Sequence, residues 1–333
     1  MRSTKLPSWI EHLLGAAPIP APPHVFALDG ARLRYGWFVR DRQGFRCRVL
    51  RTAAMPRDAF LSGLLGGPLR DPTGFQGIVG GLVKTIPGGV RDASLVIPDA
   101  WLRVAFTESG ELPRAADQRD EVLRWKLRRL VPFRVDELRV SAAEVPPLPD
   151  QEEPRRLLLG FAIEQLLAQI EDGFAAHGVR LGQISNASLS MLAALAPLEK
   201  TRADELTALA VVDEHGYSLV FVRGGAPILH RYKALSGGSG GSGAGGTGLV
   251  TRDLKLTRNF LDEHLPGVPL ARVLLAAPPE QEPVWVDLLA DGLGEPAAAL
   301  DGRHLPPLRS EEGTVPAWRE LAPLLGAVRQ EVA

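Results

Sequence analysis

The chain has 333 residues, 45% hydrophobic and 23% charged, which is the make-up of a globular protein of about two domains and excludes a disordered one. Its 38 basic and 39 acidic residues leave a net charge of -1, so no overall field draws it to nucleic acid or anionic lipid. A single cysteine, Cys47, excludes an intramolecular disulfide and a thiolate metal site, and fits a reducing compartment.

No run approaches the roughly 18 apolar residues that a membrane-spanning helix needs. Near the N-terminus, Glu11 and His12 interrupt a weak apolar run, which makes it a poor signal peptide. Residues 7–14 read as a short amphipathic helix with Ser8 as N-cap, and the proline-rich stretch 18–23 cannot be helical. Strands are expected at 24–28, 32–40 and 45–51, joined by a turn at Asp29-Gly30 and another at 41–44, which makes a three-strand meander. Helices follow over 57–66 and 74–84, the second with Phe75, Ile78, Val79 and Leu82 at helical spacing. Strands at 93–97 and 101–107 come next, the first stopped by Pro98-Asp99.

Residues 117–132 predict a helix with Val122, Leu123, Leu127 and Leu130 on one face and Trp125 beside it. Asp117, Asp120 and Glu121 near its start, and Arg124, Lys126, Arg128 and Arg129 further on, suit the helix dipole, and Pro132 stops it. A strand at 138–145, an acidic proline-rich loop at 146–154 and a strand at 156–161 follow. A helix at 162–177 ends on Gly178, a strand or loop covers 179–184, and a helix covers 187–195.

Residues 206–233 read as a strand, a polar turn at Asp213-Glu214-His215-Gly216, a strand, a Gly224-Gly225 turn and a third strand. This repeats the first meander about 180 residues later, a weak internal duplication. The Ser/Gly tract 236–248 has no side chains able to fix a backbone and is expected to be a flexible, solvated loop. It lacks the Gly-Lys-Ser/Thr ending of a phosphate loop, and its regularity resembles an engineered linker. A helix at 249–264, a buried strand at 271–277 ending in Pro278-Pro279, a helix at 284–292, a short strand at 296–300 and a helix at 317–328 complete the chain.

Common catalytic constellations are missing. Outside the Ser/Gly tract no Gly-x-Ser-x-Gly elbow anchors a Ser/His/Asp site, and none of the seven histidines has a persuasive second ligand at metal spacing. The basic stretch 124–129 reads as a solvated helix face in preference to a lipid or nucleic-acid contact.

Residues 94–195 carry the clearest family likeness. SLVIPDAWLRVAF is a strand ending in Pro. LRWKLRRLVPFRVDELRVSAAEV is a helix closing on Pro132-Phe133 ahead of Glu137 and a strand. LLLGFAIEQLLAQIEDGFAAHGVRLGQISNASLSMLAAL is a strand–helix pair ending at His177-Gly178, then a helix rich in Ala and Leu. This order resembles the PilM family, the actin-like proteins of type IV pilus assembly. Residues 206–233 fit that family's second-half hairpin, and 271–277, LADGLG and ELAPLLGAVR fit its closing elements. The cytoplasmic part of the type II secretion L subunit is similar too.

The resemblance implies an α/β, actin-like (ribonuclease H-like) duplicated fold with an inserted small α/β subdomain. Its parts would be an N-terminal extension at 1–23, a first half at 24–110 and 183–204, the insert at 111–182 and a second half at 205–333. It implies a cytoplasmic protein peripheral to the inner membrane. Its partner would be the N-terminal cytoplasmic peptide of a PilN-like bitopic inner-membrane protein, with an assembly ATPase as a further partner. No nucleic-acid partner and no membrane span of its own are expected; a homo-oligomer is left open.

That family's nucleotide site needs three loops. The first should read Asp-x-Gly, then small hydroxyl residues and a Lys, so that backbone amides, hydroxyls and a cation meet phosphate. Here Asp29-Gly30-Ala31-Arg32 has the Asp, but its Gly comes one place early, hydroxyls are absent, and only Arg32 or Arg34 offers a cation. In the second, Asp213 is present, but His215 stands in the glycine's place and Gly216 follows it. The third should be glycine-rich; Ala276-Ala277-Pro278-Pro279 has no glycine, and its prolines supply no amide. The expected site, Asp29, Gly30, Asp213 and Gly216, is therefore degenerate, with no catalytic residue and no metal ligand set. No cofactor is expected, ATP with magnesium being at most a weak ligand, and the chain reads as a pseudo-ATPase scaffold. The alternative is an active actin-fold ATPase or nucleotide switch of the same machinery, whose magnesium would meet Asp29 and Asp213. Trp125, Leu130 and Phe133 are the candidates for a peptide groove, set against an ordinary core role for each.

Overall fold

The structure is a computed structural model that describes residues 19–42, 44–56, 69–108, 112–113, 115–131, 134–145, 156–195, 201–235, 244–311, 317–329 and 331–332. The helices expected at 7–14 and 57–66, the loop at 146–154 and the candidate Phe133 lie outside the described residues.

After a two-residue strand β1 (Ile19–Pro20), the chain forms the expected meander of β2 (His24–Leu28), β3 (Arg32–Asp41) and β4 (Gly44–Ala54), all antiparallel. Its register shifts between Trp37 and Phe38. Helix α1 (Pro72–Val83) starts where Asp71 accepts a hydrogen bond from the Gly74 amide at 2.8 Å and Pro72 takes the first position, where no amide is needed. Strand β5 (Asp92–Ile97) then pairs parallel with β2.

The chain next leaves the first sheet. Strand β6 (Arg103–Glu108), helix α2 (Ala116–Arg128), β7 (Leu138–Val145) and β8 (Arg156–Ile163) make a three-stranded sheet of order β6-β8-β7. Its core is Leu123, Leu127, Val135, Leu138, Leu157, Leu159 and Phe161. Helix α3 (Glu164–Ala175) returns to pack on α1, and β9 (Arg180–Asn186) pairs parallel with β5. Helix α4 (Ala187–Ala194) follows, with Asn186 accepting from the Leu189 amide as its N-cap.

The second half repeats the first. Strands β10 (Leu206–Val212), β11 (Gly216–Arg223) and β12 (Ala226–Ala234) form an antiparallel meander, and helix α5 (Ala244–His264) crosses to β13 (Leu270–Ala276), parallel to β10. Helix α6 (Glu282–Leu293) leads to β14 (Ala297–Ala299). The order β12-β11-β10-β13-β14 matches β4-β3-β2-β5-β9 strand for strand, so the duplication suggested by two meanders is a duplication of the whole sheet. Strand β15 (Leu308–Ser310) then adds to the first sheet beside β4, helix α7 (Trp318–Arg329) packs on that sheet, and β16 (Glu331–Val332) pairs with β1.

Five layers result. Phe26, Leu33, Phe75, Val79, Ile170 and Phe174 fill the space between α1, α3 and the first sheet. Leu254, Leu261, Trp285 and Leu289 seat α5 and α6 on the second sheet. Between the two sheets lie α4 and α7. Met191 and Ala194 of α4 and Ala322 of α7 face the second sheet, while Leu321, Leu324 and Leu325 of α7 face the first.

Several sequence expectations need correction. The small sheet takes in residues 103–163, because β6 pairs with β8, whereas α3 belongs to the first core; the inserted unit was expected at 111–182. Strand β15 and helix α7 join the first sheet, although both were expected in a second half running to 333, because β4 is long enough to accept another neighbour and α7 has a first-sheet face. Of the tract 236–248, residues 244–248 are the first turn of α5, carried back from the buried anchors Val250 and Leu254. Trp101, expected on a strand, is buried in the turn before β6.

Candidate functional site

The duplication brings two tight hairpin turns face to face, one from each half. In the first, the Asp29 amide donates to the Arg32 carbonyl at 3.0 Å; in the second, the Asp213 amide donates to the Gly216 carbonyl at 3.0 Å. Each aspartate folds back on its own turn. Asp29 Oδ1 accepts from the amides of Ala31 and Arg32 at 2.9 and 2.7 Å. Asp213 Oδ1 accepts from the amides of His215 and Gly216 at 2.7 and 2.8 Å. Both are carboxylates two and three residues ahead of their donors, which is the local bond that makes Asp a turn former.

Of the four predicted residues, Gly30 is the one whose contact with the opposite turn is direct. Gly30 touches the opposite turn: a Cβ there would overlap Glu214 Oε1 and come within 2.9 Å of His215 Nε2. Gly216 backs against the Lys233 carbonyl and the Tyr232 hydroxyl on β12, which leaves no room for a side chain and makes it a packing position. Arg34 Nη1 lies 2.6 Å from Asp29 Oδ2, so the nearest cation of the first turn is bound to that turn's carboxylate.

Much of the hydrogen-bonding capacity of these turns is already engaged within the protein. Phosphate binding at such turns depends on free amides pointing at the ligand. Here four amides already donate to Asp29 and Asp213, and the Glu214 carboxylate occupies the gap in front of Gly30. On the third loop, Ala276 and Ala277 are buried, and the Pro278 carbonyl accepts from the amides of Gln281 and Glu282 at 2.9 and 3.0 Å. Glu282 opens α6, where its carboxylate is paired with the Arg319 guanidinium.

Below the turns lies a buried polar group that sequence reading did not assemble. Ser188 Oγ donates to Asp99 Oδ1 at 2.7 Å and sits 2.9 Å from His230 Nε2, while the Ser188 amide donates to Asp99 Oδ2 at 3.1 Å. Asp99 follows β5, Ser188 opens α4 and His230 lies on β12, so the group joins the two halves. It has the composition of a hydrolytic triad but not its geometry. The serine proton goes to the aspartate, His230 meets the serine and Asp99 through the same Nε2, and Ser188 has no exposed surface. The signal in the sequence was polar side chains in apolar elements: Ser188 and Ser190 within ASLSMLAA, and His230 within PILHRY.

Charge in this floor is confined. Burial, reinforced by the nearby Asp99 charge, pushes the Asp213 carboxyl up to about 6, against the pull of its amide bonds and of His215. Burial raises Tyr232 above the usual phenol range, with the Asp213 charge as a second cause, and the Arg103 guanidinium stacks 3.9 Å over the Tyr232 ring. Trp101 and His215 rings lie 6.3 Å apart across the same space.

The peptide candidates sit elsewhere, at the C-terminal end of α2. Trp125 is 56% exposed and Leu130 45% exposed, so both are surface residues and the core reading fails for each. The Arg129 guanidinium lies 5.6 Å from the Trp125 ring centre. Among the described residues, no group of three His, Cys, Asp or Glu side chains could hold a metal, and no helix is long and apolar enough to cross a membrane.

No family model and no curated protein matches the chain. Solved structures do. A PilM–PilN type IV pilus biogenesis complex superposes with a TM-score of 0.72 at 15% sequence identity, covering 94% of this chain and 97% of the other. The cytoplasmic domain of EpsL, an inner-membrane component of the type II secretion system of Vibrio cholerae, covers 92% of this chain and 95% of its own at a TM-score of 0.48 and 10% identity. At such identities the likeness is one of architecture: the chain has the duplicated, actin-like fold seen in the PilM–PilN complex.

Proposed function

We propose that this protein is a non-catalytic scaffold of a type IV pilus or type II secretion platform at the inner membrane. It acts from the cytoplasmic side, peripheral to the membrane, and holds the N-terminal cytoplasmic tail of a PilN-like membrane protein. Support for the machinery comes from the fold shared over nearly the whole length of the matched chain of the solved PilM–PilN complex. Support for the loss of ATP chemistry comes from one observation, the paired turns whose amides are taken by Asp29 and Asp213. Phosphoryl transfer is almost entirely positioning and charge stabilisation, so turns with four amides already engaged and an extra carboxylate between them are poorly equipped for both.

In this reading the working surface is the end of α2. Trp125 and Leu130 supply apolar area that a tail can cover, and Arg128 and Arg129 beside them receive its acidic groups. Calorimetric titration of the full chain with Mg-ATP and, separately, with the tail peptide of the neighbouring membrane protein tests both halves of the proposal. No heat is expected with Mg-ATP, and micromolar binding is expected with the tail, weakened about tenfold or more by Trp125→Ala. Micromolar Mg-ATP binding with turnover abolished by Asp213→Ala would restore the working ATPase. Tail binding indifferent to Trp125 would move the groove off α2.

A further inference from the structure

Helix α5 carries two apolar stripes. One, made of Val250, Leu254 and Leu261, is buried against the second sheet. The other faces away from it: Leu249 is 69%, Leu256 54% and Phe260 40% exposed. At about 100° per residue, Leu249, Arg252, Leu256, Phe260 and Glu263 fall within an arc of about 80°, a narrow seam along the helix. Among the described residues, Arg252 and Glu263 have no ion-pair or hydrogen-bond partner. Their neighbours do: Lys255 reaches Asp291 at 3.3 Å, and Arg258 reaches Asp262 at 3.1 Å. The seam therefore runs from an unpaired cation through exposed leucine and phenylalanine to an unpaired anion, spaced roughly 16 Å along the axis.

We infer that this seam is the contact between two copies of the chain, with their α5 helices packed antiparallel about a two-fold axis. The argument is one of symmetry. An isologous contact needs a patch complementary to itself, so that if one residue meets another, the second also meets the first. The midpoint between Leu256 and Phe260 is position 258, and the midpoint between Arg252 and Glu263 falls between 257 and 258. One axis therefore places Leu256 on Phe260 of the second copy and, at the same time, Arg252 on its Glu263. A parallel pair would set Arg252 on Arg252 and Glu263 on Glu263, which repel. A seam carrying both signs around an apolar centre also has little to offer a uniformly anionic partner such as nucleic acid or a lipid surface. The contact is a single helix pair, short of the roughly 1,200–2,000 Å² of a stable interface, so the dimer is weak and concentration-dependent.

Sedimentation velocity of the full chain over a wide concentration range tests this. The wild type is expected to shift from monomer to dimer, and Leu256→Asp with Phe260→Asp is expected to stay monomeric. Arg252→Glu or Glu263→Arg alone should weaken the dimer about fivefold or more, through two symmetry-related repulsions. Arg252→Glu with Glu263→Arg in one chain should restore it, and the two single variants mixed together should prefer each other to themselves. All these positions are exposed, and unchanged thermal unfolding of each variant verifies its fold. A wild type that remains monomeric, a dimer indifferent to Leu256 and Phe260, or a charge swap without rescue would overturn the proposal.

Discussion

Asp213 is a carboxylate held well above its intrinsic range. Its carboxyl is pushed from 3.8 to about 6, chiefly by burial. The folded protein therefore keeps that proton through a pH range in which the unfolded chain has lost it. The associated stability is fully present below about pH 4 and is lost as pH rises toward about 6. Asp213→Asn keeps an oxygen able to accept from the His215 and Gly216 amides while removing the titration. It should leave stability flat across that range and exceed the wild type by roughly 1–2 kcal/mol at pH 7, discounted from the full shift because the turn is partly exposed. Urea unfolding at pH 4.5 and pH 7 measures it, with equal values for both proteins at both pH values as the contrary outcome. Asp29 and Asp213 were legible in the sequence because a turn is a local object: the carboxylate and its donor amides lie within three residues of each other. Ser188 with Asp99 and His230 was not, since its partners are 89 and 42 positions away.

At the scale of elements, the closest approach is between α4 and α7. A Cβ on Gly326 would overlap the Ser190 carbonyl, which is backbone and cannot swing aside. Two effects oppose each other for Gly326→Ala. Helix propensity alone favours alanine by about 1 kcal/mol, whereas forcing a methyl into a packed backbone contact costs about 1–3 kcal/mol. Both helices are wedged between the two sheets, so overpacking wins, and the variant should be destabilised by about 1–2 kcal/mol in urea unfolding. A stabilised variant would show that the two helices can part without cost. Most elements were legible because their burial follows period 2 or 3.6, as in α1 and β4. Strand β15 was not, since three residues carry no period, and it forms only because β4 offers it an edge.

At the scale of the whole molecule, the halves are held by buried contacts at their junction. Ser188→Ala would leave Asp99 and His230, both buried, without the hydroxyl they share. Losing one partner of a buried polar group costs about 1–3 kcal/mol, and that loss should show in urea unfolding. Because the group joins β5, α4 and β12, amide exchange should also quicken on both sides of the cleft. Stability lost without faster exchange across the junction would mean that Ser188 serves α4 alone.

The sequence by itself determined the parts: two meanders, the helices around them, the turns at Asp29 and Asp213, and the lack of free glycines at the third loop. These depend on interactions within a few residues, and composition and periodicity record them directly. Tertiary structure alone decided that Glu214 faces Gly30, that Ser188 links Asp99 to His230, that Trp125 is exposed, and that β15 and α7 join the first sheet. Each of these is a meeting of positions far apart in the chain. Which distant surfaces meet is set by the summed burial of whole sheets and helices, and no local stretch of sequence contains that sum.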